Sequence, residues 1–99
     1  MASERRTRIL ELVAEAYIDT AHPVPSSAVA ERLGLSGATV RNEFAALEEE
    51  GLLQQPHTSA GRLPTAAGFR RYAGRHLPPR PLSDADRRRL IERLRGLHG

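Results

Sequence analysis

Ser36, Thr39, Arg41 and Asn42 fall within seven residues, and each carries a hydrogen-bond donor. With Val40 taken as facing inward and 100° per residue, Phe44 and Leu47 land beside it. Ala38, Arg41, Asn42, Ala45 and Glu49 land on the opposite face. Arginine suits the paired acceptors of guanine, and asparagine suits adenine. Ser36, Gly37 and Ala38 are small, so this end of a helix can approach a duplex closely. Its free N–H groups and positive dipole end favour a phosphate. The acids Glu48, Glu49 and Glu50 collect at the far end, where they oppose the helix dipole at a few tenths of a kcal/mol each.

A second group is His57, Thr58, Ser59 and Arg62, set around the small-residue turn Ala60-Gly61. Such a loop can lie along a nucleic-acid backbone or reach the minor groove, where an arginine senses groove width. His57 and Ser59 do not make a hydrolytic pair, because no third orienting residue or oxyanion site accompanies them. His22, His76 and His98 show no metal-ligand spacing. The chain contains no cysteine, which excludes disulfides and thiolate metal sites. No catalytic group, metal site or cofactor is expected.

The elements that must position these residues are legible from periodicity and punctuation. Residues 4–20 read as a helix capped by Ser3, with Ile9, Val13, Ala16 and Tyr17 on one stripe. His22-Pro-Val-Pro is an extended connector. Ser26 caps a short helix over 27–33 and is a further candidate DNA contact. Gly34 stands where a left-handed cap belongs, and Leu35 is the buried residue of the turn. Ser36 caps the third helix, over 37–50, which stops at Gly51. Leu52-Leu53-Gln54-Gln55 and Arg62-Leu63 read as the strands of a hairpin. A positive φ is expected at Gly61, where the chain must reverse. Thr65 caps a helix over 66–77, with Phe69, Tyr72 and Ala73 inward. Pro78-Pro79-Arg80-Pro81 is a stiff linker. Ser83 and Asp86 resemble a capping box for a last helix over 84–97. Its Leu90, Ile91, Leu94 and Leu97 form a stripe among five arginines, the only spare apolar surface expected.

Ninety-nine residues allow one domain and an appendage, too little for a large cofactor-binding enzyme. All 15 cations are arginine, and the net charge is +3. Residues 1–61 hold five arginines and nine acids, a balance of −4; residues 62–99 hold ten and three, a balance of +7. A basic half points to an anionic partner or to a solvated charged tail. No apolar run approaches a membrane span, and no segment reads as a secretory signal, so a cytoplasmic protein is expected.

Three helices followed by a hairpin is the order of a winged helix-turn-helix, in which the second helix of the motif enters the major groove. The fold class expected is therefore mainly α with a small β-hairpin: a winged helix-turn-helix over 1–77, a Pro-rich linker over 78–82, and an Arg-rich amphipathic helix over 83–99. Residues 36–65 carry the motif Ser-Gly-Ala-Thr-Val-Arg-Asn, an acidic Leu-Glu stretch, Gly-Leu-Leu, then Pro-His-Thr-Ser-Ala-Gly-Arg and Pro-Thr. This run resembles the N-terminal winged helix of the heat-inducible transcription repressor family HrcA, and the likeness spans about residues 4–77. Gly37 departs from the family's usual second serine.

The resemblance implies a bacterial repressor of chaperone operons that binds an inverted-repeat operator on double-stranded DNA. It further implies a homodimer, within a longer parent protein, and contact with a chaperonin. By position, Ser36, Thr39, Arg41 and Asn42 match the family's recognition helix, and residues 57–62 match its wing. A winged helix used only to bind proteins is the alternative; its surfaces would be the leucine stripe of 90–97 and the acidic end of the third helix. Arg41 separates the two, since it matters only for DNA.

Overall fold

The computed structural model describes residues 2–76 and 83–96. Helix α1 (Ala2–Thr20) is followed by α2 (Ser26–Leu33) and α3 (Gly37–Glu49). Strands β1 (Leu53–Gln54) and β2 (Leu63–Pro64), then helices α4 (Ala66–His76) and α5 (Asp84–Arg95), complete the order. This is the winged helix-turn-helix order read from the sequence. The linker over 78–82, Leu97 and His98 lie outside the described residues.

The core forms because each helix buries one stripe. Ile9, Leu10 and Val13 of α1 meet Val29 of α2, then Val40, Phe44 and Leu47 of α3, and Leu52 and Leu53 beyond it. Burial of one such side chain is worth about 1.5–3 kcal/mol. Leu33 and Leu35 pack against this cluster only partly buried, so Leu35 is less enclosed than its turn suggested. Tyr17 and Phe69 meet in a second cluster, rings tilted with centroids 6.0 Å apart.

Caps behave unevenly. Ser36 Oγ accepts from the Thr39 N–H at 3.1 Å, Thr65 Oγ1 from the Gly68 N–H at 3.1 Å, and Ser83 Oγ from the Asp86 N–H at 3.1 Å. Gly34 and Gly51 take the left-handed φ values 66° and 76° that end α2 and α3. Two expected caps are not caps. Helix α1 begins at Ala2, which puts Ser3 in its first turn. Helix α2 starts at Ser26 itself, because Pro25 holds the extended backbone of the cap position and makes no side-chain cap bond.

The hairpin is short. Leu53 pairs with Pro64 and Gln54 with Leu63, antiparallel. A third strand-like contact was not expected: Val24, in the connector read only as extended, exchanges both backbone hydrogen bonds with Arg62, at 2.7 and 2.9 Å. That bridge explains Gly61, and differently from the sequence reading. The left-handed glycines among the described residues are Gly34 and Gly51, so Gly61 is not needed for a positive φ. A Cβ on Gly61 would instead stand 2.9 Å from both the carbonyl carbon and the Cβ of Pro23. Glycine is there for close approach. Gly61→Val should therefore open the contact between 23–24 and the wing and cost about 1–3 kcal/mol. Thermal melting by circular dichroism checks this; an unchanged midpoint would contradict it.

Helix α5 also departs from expectation. Leu90 and Leu94 pack, partly buried, onto the Tyr17–Phe69 cluster, and the Tyr17 hydroxyl donates to the Arg93 carbonyl at 3.5 Å. Only Ile91 of the described stripe remains a large exposed apolar side chain. The stripe is thus mainly the helix's seat on its own domain rather than spare surface. Burial pushes the Tyr17 and Tyr72 hydroxyls above the usual tyrosine range, with Arg93 pulling Tyr17 partly back. Both therefore stay protonated and able to donate near neutral pH. Among the described residues, no helix is long and apolar enough to cross a membrane.

Candidate nucleic-acid interface

The outer face of α3 emerges as read from periodicity. Val40, Phe44 and Leu47 are buried, while Ala38, Arg41, Asn42, Ala45 and Glu49 are exposed. At the helix start Ser36 is exposed and Thr39 half-buried. Ser36 Oγ donates to Thr39 Oγ1 at 2.8 Å, so the two hydroxyls form one polar unit. The Thr39 hydroxyl proton then remains for an outside acceptor. Arg41 folds back toward the helix start: a Cβ on Gly37 would lie 3.1 Å from Arg41 Nη1.

Sequence reasoning missed how the other end of α3 is held. Glu43 is buried, yet two arginines of α1 reach it, Arg5 Nε at 3.5 Å and Arg6 Nη2 at 3.2 Å. Arg6 also meets Glu50 at 3.4 Å, and Arg71 of α4 lies 4.0 Å from the same carboxylate. Glu48 pairs with Arg62. Of the acids expected to oppose the dipole, Glu48 and Glu50 are therefore offset by cations from α1, the wing and α4, while Glu49 stays exposed on the outer face. A signal for Glu43 existed: 100° steps set it beside the Val40–Phe44–Leu47 stripe, where a buried carboxylate requires a cation.

In the wing, His57 and Thr58 are exposed and Ser59 is half-buried; Ser26, at the start of α2, is half-buried as well. Ser59 Oγ accepts from the Gly61 N–H at 3.0 Å, and Gln55 donates to the Ser59 carbonyl at 3.4 Å. These bonds shape the turn from within. Arg62 is the residue whose setting differs most from the reading of a backbone or groove contact. Its Nε donates to Glu48, its Nη1 donates to the Ala60 carbonyl at 2.6 Å, and its guanidinium carbon lies 5.7 Å from the Phe44 ring centroid. It bolts the wing base to α3.

Arg62→Ala should accordingly cost about 1 kcal/mol of stability, since the pair is partly solvent-screened. It should also weaken DNA binding evenly across sequences, by loosening the wing. Urea melts with titrations at several salt concentrations check this. Unchanged stability with a salt slope smaller by about one would instead return Arg62 to the phosphate backbone.

The helix-turn-helix that carries this face is matched by comparison with known proteins. Residues 4–57 match the model of the IclR helix-turn-helix domain. The chain belongs to that helix-turn-helix family. Over 98 residues it is 48% identical to the heat-inducible transcription repressor HrcA of Nocardioides sp. and 46% identical to that of Streptomyces avermitilis. Each alignment takes in 97% of this chain and 29% of the relative, so the chain spans under a third of their length. A crystal structure described as that of a hypothetical protein at 2.2 Å resolution superposes with a TM-score of 0.68 and 41% identity. That likeness covers 72% of this chain and 24% of the other. The resemblance drawn from the recognition-helix and wing motifs thus extends over nearly all of the chain.

Proposed function

We propose that this chain binds double-stranded DNA sequence-specifically and represses transcription, with α3 in the major groove and the wing beside it. The observation that carries the reading is the division of α3. Its outer face begins with small residues, the half-buried Thr39 and the exposed donors Arg41 and Asn42, while Glu43, Glu48 and Glu50 further along are paired with arginines of the protein. A phosphate approaching the start of α3 meets donors and no uncompensated carboxylate.

Ser36, Thr39, Arg41 and Asn42 serve as the reading set in this proposal, with Ser26, His57, Thr58 and Ser59 supplying backbone contacts. Residues 1–77 form the DNA-binding unit. Two copies occupy an inverted repeat, each half-site taking one α3. The relatives' name extends the proposal to heat-regulated genes, and the family resemblance extends it to chaperone operons, a chaperonin partner and a cytoplasmic, non-enzymatic role. The protein-binding alternative gains nothing from the fold. Most of both surfaces it would use is engaged internally, Leu90 and Leu94 of α5 on Tyr17 and Phe69 and Glu48 and Glu50 of α3 on arginines, which leaves Ile91 and Glu49 exposed. Selection of bound fragments from a random duplex pool tests the proposal. Enrichment of a defined half-site, arranged as an inverted repeat, is expected; a pool that stays random would overturn it.

A further inference from the structure

Gly37 lies at the start of α3 with an ordinary helical backbone, since the left-handed glycines among the described residues are elsewhere. Nothing in the local conformation demands glycine, and alanine would favour the helix. The space beside it is what is used. The Arg41 guanidinium occupies it, with Nη1 3.1 Å and Cζ 3.9 Å from where a Cβ would stand. The residue at 37 therefore decides where the Arg41 fork rests before any partner arrives.

We infer that Gly37 is a specificity-determining position, acting through Arg41 by leaving the guanidinium room to lie over the first turn of α3. This rests on the DNA-binding reading above and deepens it. A two-pronged guanine contact depends on where the fork stands relative to the helix axis. A side chain at 37 moves the fork outward by at least a few tenths of an ångström for alanine, and off the turn altogether for valine. The contact meets only the far end of a flexible side chain, so the fold adapts at little cost. Base preference changes instead, at the position Arg41 reads.

The test is a double-mutant cycle on the intact chain with Gly37→Ala, Gly37→Val and Arg41→Ala. Each variant is titrated against the selected site and against random duplex, with melting temperatures alongside. Gly37→Ala should melt no lower than the parent. Gly37→Val should lose about tenfold on the selected site while Arg41 is present, and under about twofold once Arg41 is alanine. Reselection with Gly37→Val should return a site altered at one base pair in each half. The inference is overturned if the valine loss is the same in both Arg41 backgrounds, which marks a direct clash with DNA. It is also overturned if reselection returns the parent site. If the parent selects no site, that underlying reading has failed.

Discussion

Gly68→Ala should destabilise the protein by about 3 kcal/mol, from the addition of one methyl group. Gly68 sits in the first turn of α4, where that helix meets the hairpin. A Cβ there would stand 2.1 Å from the Leu52 carbonyl oxygen, 3.1 Å from its carbon and 3.2 Å from Pro64 Cβ. Two of those atoms are backbone and cannot swing aside. The Leu52 carbonyl also accepts from the Thr65 N–H at 3.0 Å, so displacing it strains the cap of α4 as well. Leu52 belongs to the main core, and a shift propagates into it. For a domain of this size the melting midpoint should fall by roughly 12–24 °C. Gly74→Ala is the control, because nothing lies within 4 Å of its added Cβ. That substitution should be neutral or stabilising by up to about 1 kcal/mol. Equal midpoints for the parent and Gly68→Ala would contradict the close packing of α4 on the hairpin.

The second large effect concerns valency. One domain presents one α3 and one wing, enough for one half-site. The surface that might have held two copies together is occupied, since Leu90 and Leu94 pack on the domain's own second cluster. Ile91 is left as the large exposed apolar residue of α5, among arginines that repel a second copy. Fusing a dimeric coiled coil after Gly99 through a flexible linker makes the second binding event intramolecular. Affinity for an inverted repeat should then rise by about 10²–10⁴, with no change on a single half-site. Titration of both proteins on both DNAs, with sedimentation, measures it. Nanomolar binding of the repeat by an unfused chain that sediments as a dimer would show that α5 or another surface pairs the copies.

What the sequence made legible was local. Ser36, Thr65 and Ser83 bond within three residues of themselves, and Gly34 and Gly51 end helices by their own dihedrals. The buried and exposed faces of α3 follow from one angular step. What escaped was set by partners distant in the chain. Arg62 looks free in a loop until α3 brings Glu48 and Phe44 beneath it. Gly61 invites a dihedral explanation until Pro23 is found against it. The α5 stripe reads as spare because periodicity cannot say which surface it meets, here Tyr17 and Phe69. Of the candidate site, the exposed side of α3 was readable, whereas the bonds of Arg62 to the protein and the contact between Gly37 and Arg41 required the fold.

In the proposed function the exposed face of α3 reads bases. Arg41 is on that face with its side chain exposed, and among the described residues no hydrogen bond or ion pair fixes its guanidinium as Glu48 and the Ala60 carbonyl fix that of Arg62. The most direct measurement is the affinity of the parent and of Arg41→Ala for the selected operator and for a scrambled duplex at one fixed salt concentration. The operator should lose about 1–3 kcal/mol, or roughly 5–150-fold, while the scrambled duplex loses far less. Equal losses on the two duplexes would mean that Arg41 serves only the phosphate backbone, and the reading of α3 as the base-reading helix would be wrong.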